Sequence, residues 1–117
     1  MKEFKSAREL LARGETVLCL FTRGDDLKMR PDGTGSSGYW KLDPRREVDG
    51  VLIYLRDDER RDANELFLAD HDGLKGPRRP DGRYLVRLKG IRRAGFTRHD
   101  WRRFAQASMS PVRYHRR

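Results

Sequence analysis

The stretch Val51-Leu-Ile-Tyr-Leu55 decides the predicted fold, together with Glu65-Leu-Phe-Leu-Ala69 and Arg83-Tyr-Leu-Val-Arg-Leu88, which follow it along the chain. The first two are short, continuous apolar runs, which are typical of buried strands. The third alternates charged and apolar residues, as a half-buried antiparallel strand does. No helical segment separates the three, so the sequence favours an antiparallel sheet over a parallel one.

Two segments on the N-terminal side extend this sheet. Thr16-Val-Leu-Cys-Leu-Phe21 is a continuous apolar run that predicts another buried strand, and Tyr39-Trp-Lys-Leu42 predicts a short one. Residues 23–38 show no periodicity, so we predict a long loop with a helical turn near residues 25–29. Residues 75–82 are rich in Pro, Gly and Arg and predict a basic turn.

Two capping boxes predict helices. Ser6-Ala-Arg-Glu9 predicts a short helix over residues 7–13, and Thr97-Arg-His-Asp100 predicts a second one over residues 98–107. The apolar face of the second helix would consist of Trp101, Phe104 and Ala105.

We therefore predict an α+β fold, a small antiparallel, partly closed β-barrel with two or three short helices closing its ends. The 117 residues fit a single domain over 1–117. The sequence leaves open whether the basic tail at 109–117 is ordered or mobile.

The charge of the chain is large and uneven. The net charge is +9 and the isoelectric point about 10.3. Residues 1–73 carry 13 Lys and Arg against 16 Asp and Glu, a net of −3, whereas residues 74–117 carry 14 against 2, a net of +12. Twelve of those 14 cations are Arg, which binds phosphate through two parallel hydrogen bonds and stacks on bases. This asymmetry favours a polyanionic partner, DNA or RNA; an Arg-rich proteome is the alternative explanation.

Other features exclude several classes of protein. The single cysteine, Cys19, lies in an apolar run and cannot form an internal disulfide, which favours a reducing compartment. No apolar run approaches the roughly 20 residues that cross a bilayer, and residues 1–5 do not begin a signal peptide. We predict a cytoplasmic protein that does not enter a membrane.

No metal, cofactor or catalytic residue is predicted. The three histidines show no metal-ligand spacing with each other or with Cys19, and we interpret Asp70-His71-Asp72 as a polar strand end. An enzyme acting on nucleic acid or nucleotides is the alternative. It would use acids among Asp25, Asp26, Asp49, Glu65 and Asp70.

A nucleotide pocket is predicted around the glycine-rich segment Asp32-Gly-Thr-Gly-Ser-Ser-Gly38, and a flexible hairpin or disordered loop is the alternative interpretation. This segment lacks the Lys and Ser/Thr of a phosphate-binding P-loop, but its backbone amides can approach a phosphate or base closely. Cations and aromatic residues flank it: Arg23, Lys28, Arg30, Tyr39, Trp40 and Lys41. Since neighbouring strand residues face opposite ways, at most one of Tyr39 and Trp40 would line a pocket.

Three arginine pairs are further candidates for phosphate contacts, namely Arg78-Arg79, Arg92-Arg93 and Arg102-Arg103. The last pair flanks the apolar face of a predicted helix and should be exposed, where it can follow a phosphate backbone. A solvated charged face is the alternative interpretation of each pair.

The order of these features resembles the PUA-like superfamily, in particular its EVE and ASCH branches, which are small β-barrels that bind RNA or DNA with modified bases. The similar stretches are Gly38-Tyr-Trp-Lys41, Val48-Asp-Gly-Val-Leu-Ile-Tyr54, Glu65-Leu-Phe-Leu-Ala-Asp70 and Arg83-Tyr-Leu-Val-Arg-Leu88. Asp49-Gly50 departs from the family by reversing its Gly-Asp pair.

The resemblance implies a pocket for a flipped base, held by stacking and by hydrogen bonds to the base edge. Trp40 or Tyr39 would stack, and Ser36, Ser37 or Asn64 would read the base. The backbone would be held by Arg23, Lys28, Arg30 and the basic C-terminal half.

The favoured function is thus a nucleic-acid-binding module that recognises a modified or flipped base in DNA or RNA. A fused or associated nuclease, or another effector protein, would be a further partner. The third hypothesis, after the enzyme, is a protein-interaction or inhibitor module of a phage or defence system.

Overall fold

The computed structural model describes residues 2–60, 62–107 and 109–117, and it contains seven strands and two short helical segments. The strands are β1 (Thr16–Thr22), β2 (Leu27–Met29), β3 (Gly35–Trp40), β4 (Gly50–Leu55), β5 (Asn64–Lys75), β6 (Tyr84–Thr97) and β7 (Val112–Arg116). A 3₁₀ turn spans Ala7–Leu10, and the helix α1 spans Trp101–Ala105.

All seven strands form one mixed sheet in the order β2-β3-β6-β5-β4-β1-β7. β1 and β4 are parallel, and every other neighbouring pair is antiparallel. The prediction of an antiparallel sheet was therefore wrong. A parallel pair needs a connection that returns to the same end of the sheet, usually a helix. Here the β2–β3 hairpin and the loop after it provide that return.

The predicted α+β class and the partly closed barrel were also wrong. The structure is mostly sheet, with a single five-residue α-helix among the described residues. In the described ladder β2 and β7 are the two edges and are not paired with each other, so the sheet does not close. The fold is mostly sheet because two strands are long: β5 has 12 residues and β6 has 14.

Apolar side chains cover both faces of the sheet. Alternate residues of β1 point to opposite faces, so Val17 and Cys19 belong to one core cluster and Leu18 and Leu20 to the other. The first cluster packs against α1 and the 3₁₀ turn through Trp101 and other residues. The second lies inside the curled sheet and includes side chains of β3, β6, β5, β4 and β1. Burial on both faces explains why the β1 and β4 sequences are continuously apolar.

Several local predictions needed correction. Residues 23–38 form the β2–β3 hairpin and not a loop with a helical turn, because small Gly and Ser residues pair in β3. The helix predicted over 98–107 begins at Trp101, since Asp100 is its N-cap and Thr97 ends β6. The helix predicted over 7–13 is only a 3₁₀ turn.

The basic tail contributes a strand to the sheet. β7 pairs with β1 over five residues, from Thr16 opposite Arg116 to Leu20 opposite Val112. The hydroxyl of Tyr114 donates to the carbonyl oxygen of Asp43 at 3.3 Å, which joins this edge of the sheet to the segment after β3.

Candidate functional site

A cavity of about 680 Å³ opens where β1 and β4 end and β6 passes into α1. Because β1 and β4 are parallel, their carboxyl ends meet at the same edge of the sheet, which brings Phe21 and Tyr54 together. Volumes of roughly 300–1,000 Å³ are usual for small-molecule sites. The lining residues are Phe21, Arg23, Tyr54, Arg56, Asn64, Arg98, His99, Asp100, Trp101, Arg102, Arg103, Met109 and Pro111.

Three aromatic rings lie together in this cavity wall. The ring centroid of Phe21 lies 5.6 Å from that of Tyr54 and 5.8 Å from that of Trp101, and the Tyr54 and Trp101 centroids are 5.6 Å apart. Tyr54 and Trp101 are 2% and 7% exposed, whereas Phe21 is half-buried. Phe21 is therefore the aromatic residue of the three that offers most ring surface to a ligand.

Hydrogen bonds hold the two buried rings in place. The Tyr54 hydroxyl donates to the carbonyl oxygen of His99 at 2.7 Å, and the Trp101 indole N–H donates to that of Ser110 at 2.8 Å. Burial, and secondarily the negative charge of Asp100, raise the pKa of Tyr54, so its hydroxyl stays protonated. The wall is thus tied to the loops on both sides of α1.

Five arginines surround the cavity. Arg56 forms an ion pair with Asp58 at 3.2 Å, and Arg98 forms one with Glu3 at 3.5 Å. The other three, Arg23, Arg102 and Arg103, are exposed and have no ion-pair partner in the described part of the chain. These three are the positive charges available to an anionic ligand.

The helix cap places two of these arginines. The Asp100 carboxylate accepts a hydrogen bond from the backbone N–H of Arg103 at 2.9 Å, which starts α1 directly after β6. Trp101, Phe104 and Ala105 are buried, as predicted, so Arg102 and Arg103 point to solvent. Asp100 is itself the one carboxylate in the cavity lining.

A shallow groove of about 330 Å³ adjoins the cavity and shares Phe21, Arg23 and Pro111 with it. Its other lining residues are Thr22, Asp25, Asp26, Gly38, Tyr39 and Trp40. This groove lies where sequence analysis placed the nucleotide pocket. It is half the size of the cavity and carries two carboxylates.

Both aromatic residues of the predicted pocket make contacts within the protein. Trp40 is 8% exposed and belongs to the core, and its indole N–H donates to the buried Ser37 hydroxyl at 3.0 Å. The Arg78 guanidinium covers the Tyr39 ring, with 3.8 Å between its central carbon and the ring centroid.

Of the 13 predicted binding residues, the cavity brings together Arg23, Asn64, Arg102 and Arg103. Asn64 is 2% exposed and donates to the Thr97 carbonyl oxygen at 3.2 Å, so it is largely committed to the fold. The structure places the others elsewhere. Lys28 and Ser36 lie on the β2–β3 hairpin, and Arg30, Lys41 and Arg79 are exposed outside the cavity.

Sequence analysis missed Phe21 and Arg56 as cavity residues, and it gave Tyr54 no role of its own. Phe21 and Tyr54 looked like ordinary members of apolar strands. Both residues lie near the carboxyl ends of their strands, β1 and β4. This position would have marked them as cavity residues only if the parallel pairing of β1 with β4 had been predicted.

The acidic residues proposed for the alternative enzyme lie in three separate places. Asp25 and Asp26 line the shallow groove, Asp49 and Asp70 line another depression, and Glu65 forms an ion pair with Arg93 at 3.4 Å. Asp70 also forms an ion pair with Arg92, and its neighbour Asp72 forms one with Lys89, each at 3.7 Å. His71 accepts a hydrogen bond from the Gly73 N–H at 3.2 Å through Nδ1. Within the described ranges, no group of three or more His, Cys, Asp and Glu side chains could hold a metal ion.

Comparison with known proteins supplies no assignment. No protein-family model, no curated protein and no solved structure matches this chain. The described helices are all too short to span a bilayer.

Proposed function

We propose that this chain binds nucleic acid, and that the cavity at the end of β1 and β4 holds a base or nucleotide. The proposal rests on one half-buried aromatic ring, that of Phe21, beside three arginines around a cavity of nucleotide size. Among the described residues these arginines, Arg23, Arg102 and Arg103, have no ion-pair partner. Aromatic rings stack on every base, and arginines bind the phosphates next to it.

The distribution of charge supports a polyanion as the ligand. The excess of +12 lies in residues 74–117, and part of it is neutralised within the sheet, because β5 supplies acids to β6 cations. Arg102 and Arg103 are not neutralised in this way. Their charge is therefore available for a ligand, and so is that of Arg23 from the other side of the cavity.

The proposal includes recognition of an unstacked base, which the resemblance to the PUA-like superfamily also suggests. A base that enters the cavity leaves its stack, and stacking on a protein ring compensates part of that cost. A modified base is the specific version of this proposal. Phe21 replaces Trp40 and Tyr39 as the residue that we expect to stack.

The test is a binding titration with labelled single- and double-stranded DNA and RNA, with and without modified bases, at two salt concentrations. Phe21→Leu keeps the apolar volume but removes the ring, and should weaken binding by about 1–3 kcal/mol if a base stacks there. Arg102→Gln/Arg103→Gln should lower the dependence of log K on log salt by roughly 0.7 per lost phosphate contact to a single strand.

Lys5→Gln/Arg13→Gln is the matched control, because it removes the same charge from exposed positions away from the cavity. The control should bind almost as the wild type does. Absence of binding to every nucleic acid at low salt would exclude the proposal and favour a protein partner. Binding that the control weakens as much as the cavity variants would leave only a non-specific basic surface.

A further inference from the structure

A row of polar side chains crosses one face of the sheet at β2, β3 and β6. Lys28 lies opposite Ser36 in the ladder, and Ser36 lies opposite Arg87. Directly opposed residues share a face of the sheet. With strands about 4.8 Å apart, the Cα atoms of Lys28 and Arg87 are about 10 Å apart. Both side chains are exposed, whereas their neighbours Ser37 and Val86 point into the core on the other face.

The next row on the same face consists of Gly38, Leu85 and Lys75. Lys75 lies opposite Leu85 at the end of β5, and the Leu85 side chain lies over Gly38, where a Cβ atom would come within 2.6 Å of it. Arg87 extends over Gly73, with its guanidinium 3.8 Å from the place of a Cβ atom there. Because Gly38 and Gly73 have no side chains, an extended ligand can approach the backbone of this face closely.

The cations of this face differ from those farther along β6. Lys89, Arg92 and Arg93 each form an ion pair with an acid of β5, at 3.7, 3.7 and 3.4 Å. Lys28, Lys75 and Arg87 have no such partner among the residues that the structure describes. The neighbouring acid Asp72 is already paired with Lys89.

We propose that this face, the Lys28–Ser36–Arg87 row together with Lys75, is a second binding surface for the phosphodiester backbone of a nucleic acid. The row offers two cations and a hydroxyl donor between them. The groove that shares Phe21 and Arg23 with the cavity reaches Gly38 at the border of this face, which gives one strand a continuous path. This inference rests on the proposed function, since the same strand would place a base in the cavity.

Two carboxylates separate the cavity from the second binding surface. Asp25 and Asp26 lie in the groove between them and repel phosphate, so backbone contacts are expected at both ends and not in the middle. A ligand short enough to fill the cavity alone would not reach the second surface. Longer strands would gain affinity from it by adding phosphate contacts.

The experiment compares a trinucleotide with a single strand of about 15 nucleotides, a length at the upper end of usual site sizes for one small domain. The two ligands are titrated against the wild type, Lys28→Gln/Arg87→Gln, Phe21→Leu and the control Lys5→Gln/Arg13→Gln. We expect Lys28→Gln/Arg87→Gln to bind the trinucleotide as the wild type does. It should bind the long strand more weakly, with the salt slope reduced by about 1.4 for two lost contacts.

Each result has a distinct meaning. Equal binding of the long strand by Lys28→Gln/Arg87→Gln and the control would overturn the second surface and leave the cavity unaffected. Binding of the long strand that depends on Lys28 and Arg87 but not on Phe21, with no trinucleotide binding, would support the second surface and exclude the proposed cavity. Failure of the wild type to bind either ligand would exclude both.

Discussion

The Arg78 guanidinium covers one face of the Tyr39 ring, and a carboxylate holds the guanidinium there. Arg78 pairs with Asp81, whose carboxylate also accepts the Arg83 backbone N–H at 3.0 Å. These contacts, the Arg78 side chain first, lower the pKa of Asp81 to about 2. Asp81 therefore stays ionised at neutral pH, where it can pair with Arg78. The ring face of Tyr39 that Arg78 covers is therefore not available for stacking on a base.

This arrangement predicts an order of effects on nucleic-acid binding. Tyr39→Leu should weaken binding less than Phe21→Leu, because Arg78 covers one face of the Tyr39 ring whereas the Phe21 ring lines the cavity. Titration of both variants with the same long single strand measures the difference. Arg78→Ala serves as the comparison, since it uncovers Tyr39. A larger loss for Tyr39→Leu than for Phe21→Leu would place the stacking site in the groove.

Trp40 should matter for stability and not for binding. Trp40→Phe removes the indole N–H that donates to the buried Ser37 hydroxyl and leaves unfilled volume in the core. We expect the free energy of unfolding to fall by about 1–3 kcal/mol. Denaturant unfolding followed by circular dichroism measures this change, and titration of the folded variant should give wild-type affinity. An unchanged stability with lost base preference would contradict the assignment of Trp40 to the core.

The fold should lose stability in mild acid through its histidines. Burial first, then the charges of Arg113 and Arg8, lower the pKa of His115, while a hydrogen bond with the Ala105 backbone acts the other way. Burial also lowers the pKa of His71. The unfolded chain therefore binds these protons more readily, with a pKa of about 6.5. The stability that the neutral histidines provide is present above that pH and is lost as the pH falls through it.

Thermal unfolding of the wild type and of His115→Gln at pH 7.5 and 5.5 tests whether acidification lowers the stability. The wild-type Tm should be lower at pH 5.5, and the difference between the two pH values should be smaller for His115→Gln. Each protein is compared with itself at the two pH values, so any loss of stability that His115→Gln causes at neutral pH does not affect the comparison. A wild-type Tm that rises on acidification would refute the prediction.

Cys19 should be inert in the native protein. It is fully buried in β1, and burial raises the pKa of its thiol to about 12 although Arg113 acts in the opposite direction. Because the thiolate is the reactive species, a thiol reagent at pH 8 should label the folded chain only at the rate of unfolding. Labelling in denaturant is the reference. Rapid labelling under native conditions would show that β7 opens and exposes β1.

Apolar pattern alone was enough to predict β1 and β4, and the amphipathic face of α1. The strand lengths were not predictable in the same way, because the second halves of β5 and β6 are largely polar, and each of them pairs with the predicted half of the other strand. Gly35 and Ser36 lack the bulk that marks a strand, yet they pair with β2 and β6. A ladder between neighbours in space overrode the weak local preference of these residues.

Three charged residues of the candidate site were predictable from the sequence, whereas its half-buried aromatic ring was not. Arg23 was predicted because it precedes the glycine-rich segment and its aromatic neighbours, and Arg102 and Arg103 because they flank the apolar face of a predicted helix. Phe21 was not, because its role follows from the parallel pairing of β1 and β4, which depends on residues far apart in the sequence. Gly35-Ser-Ser-Gly38, interpreted as a nucleotide loop, proved to be a strand that places Ser36 between Lys28 and Arg87.

The pairing of β1 with β7 has a consequence for the way in which the chain reaches its native state. Thr16 and Arg116 are opposed in the ladder although nearly the whole chain separates them. On a ribosome β1 is complete long before β7 is made, so its edge stays open while the rest of the sheet emerges. Such non-local ladders fold slowly, and an unpaired apolar edge invites pairing with other chains. The nascent protein therefore depends on its final strand to protect its first one.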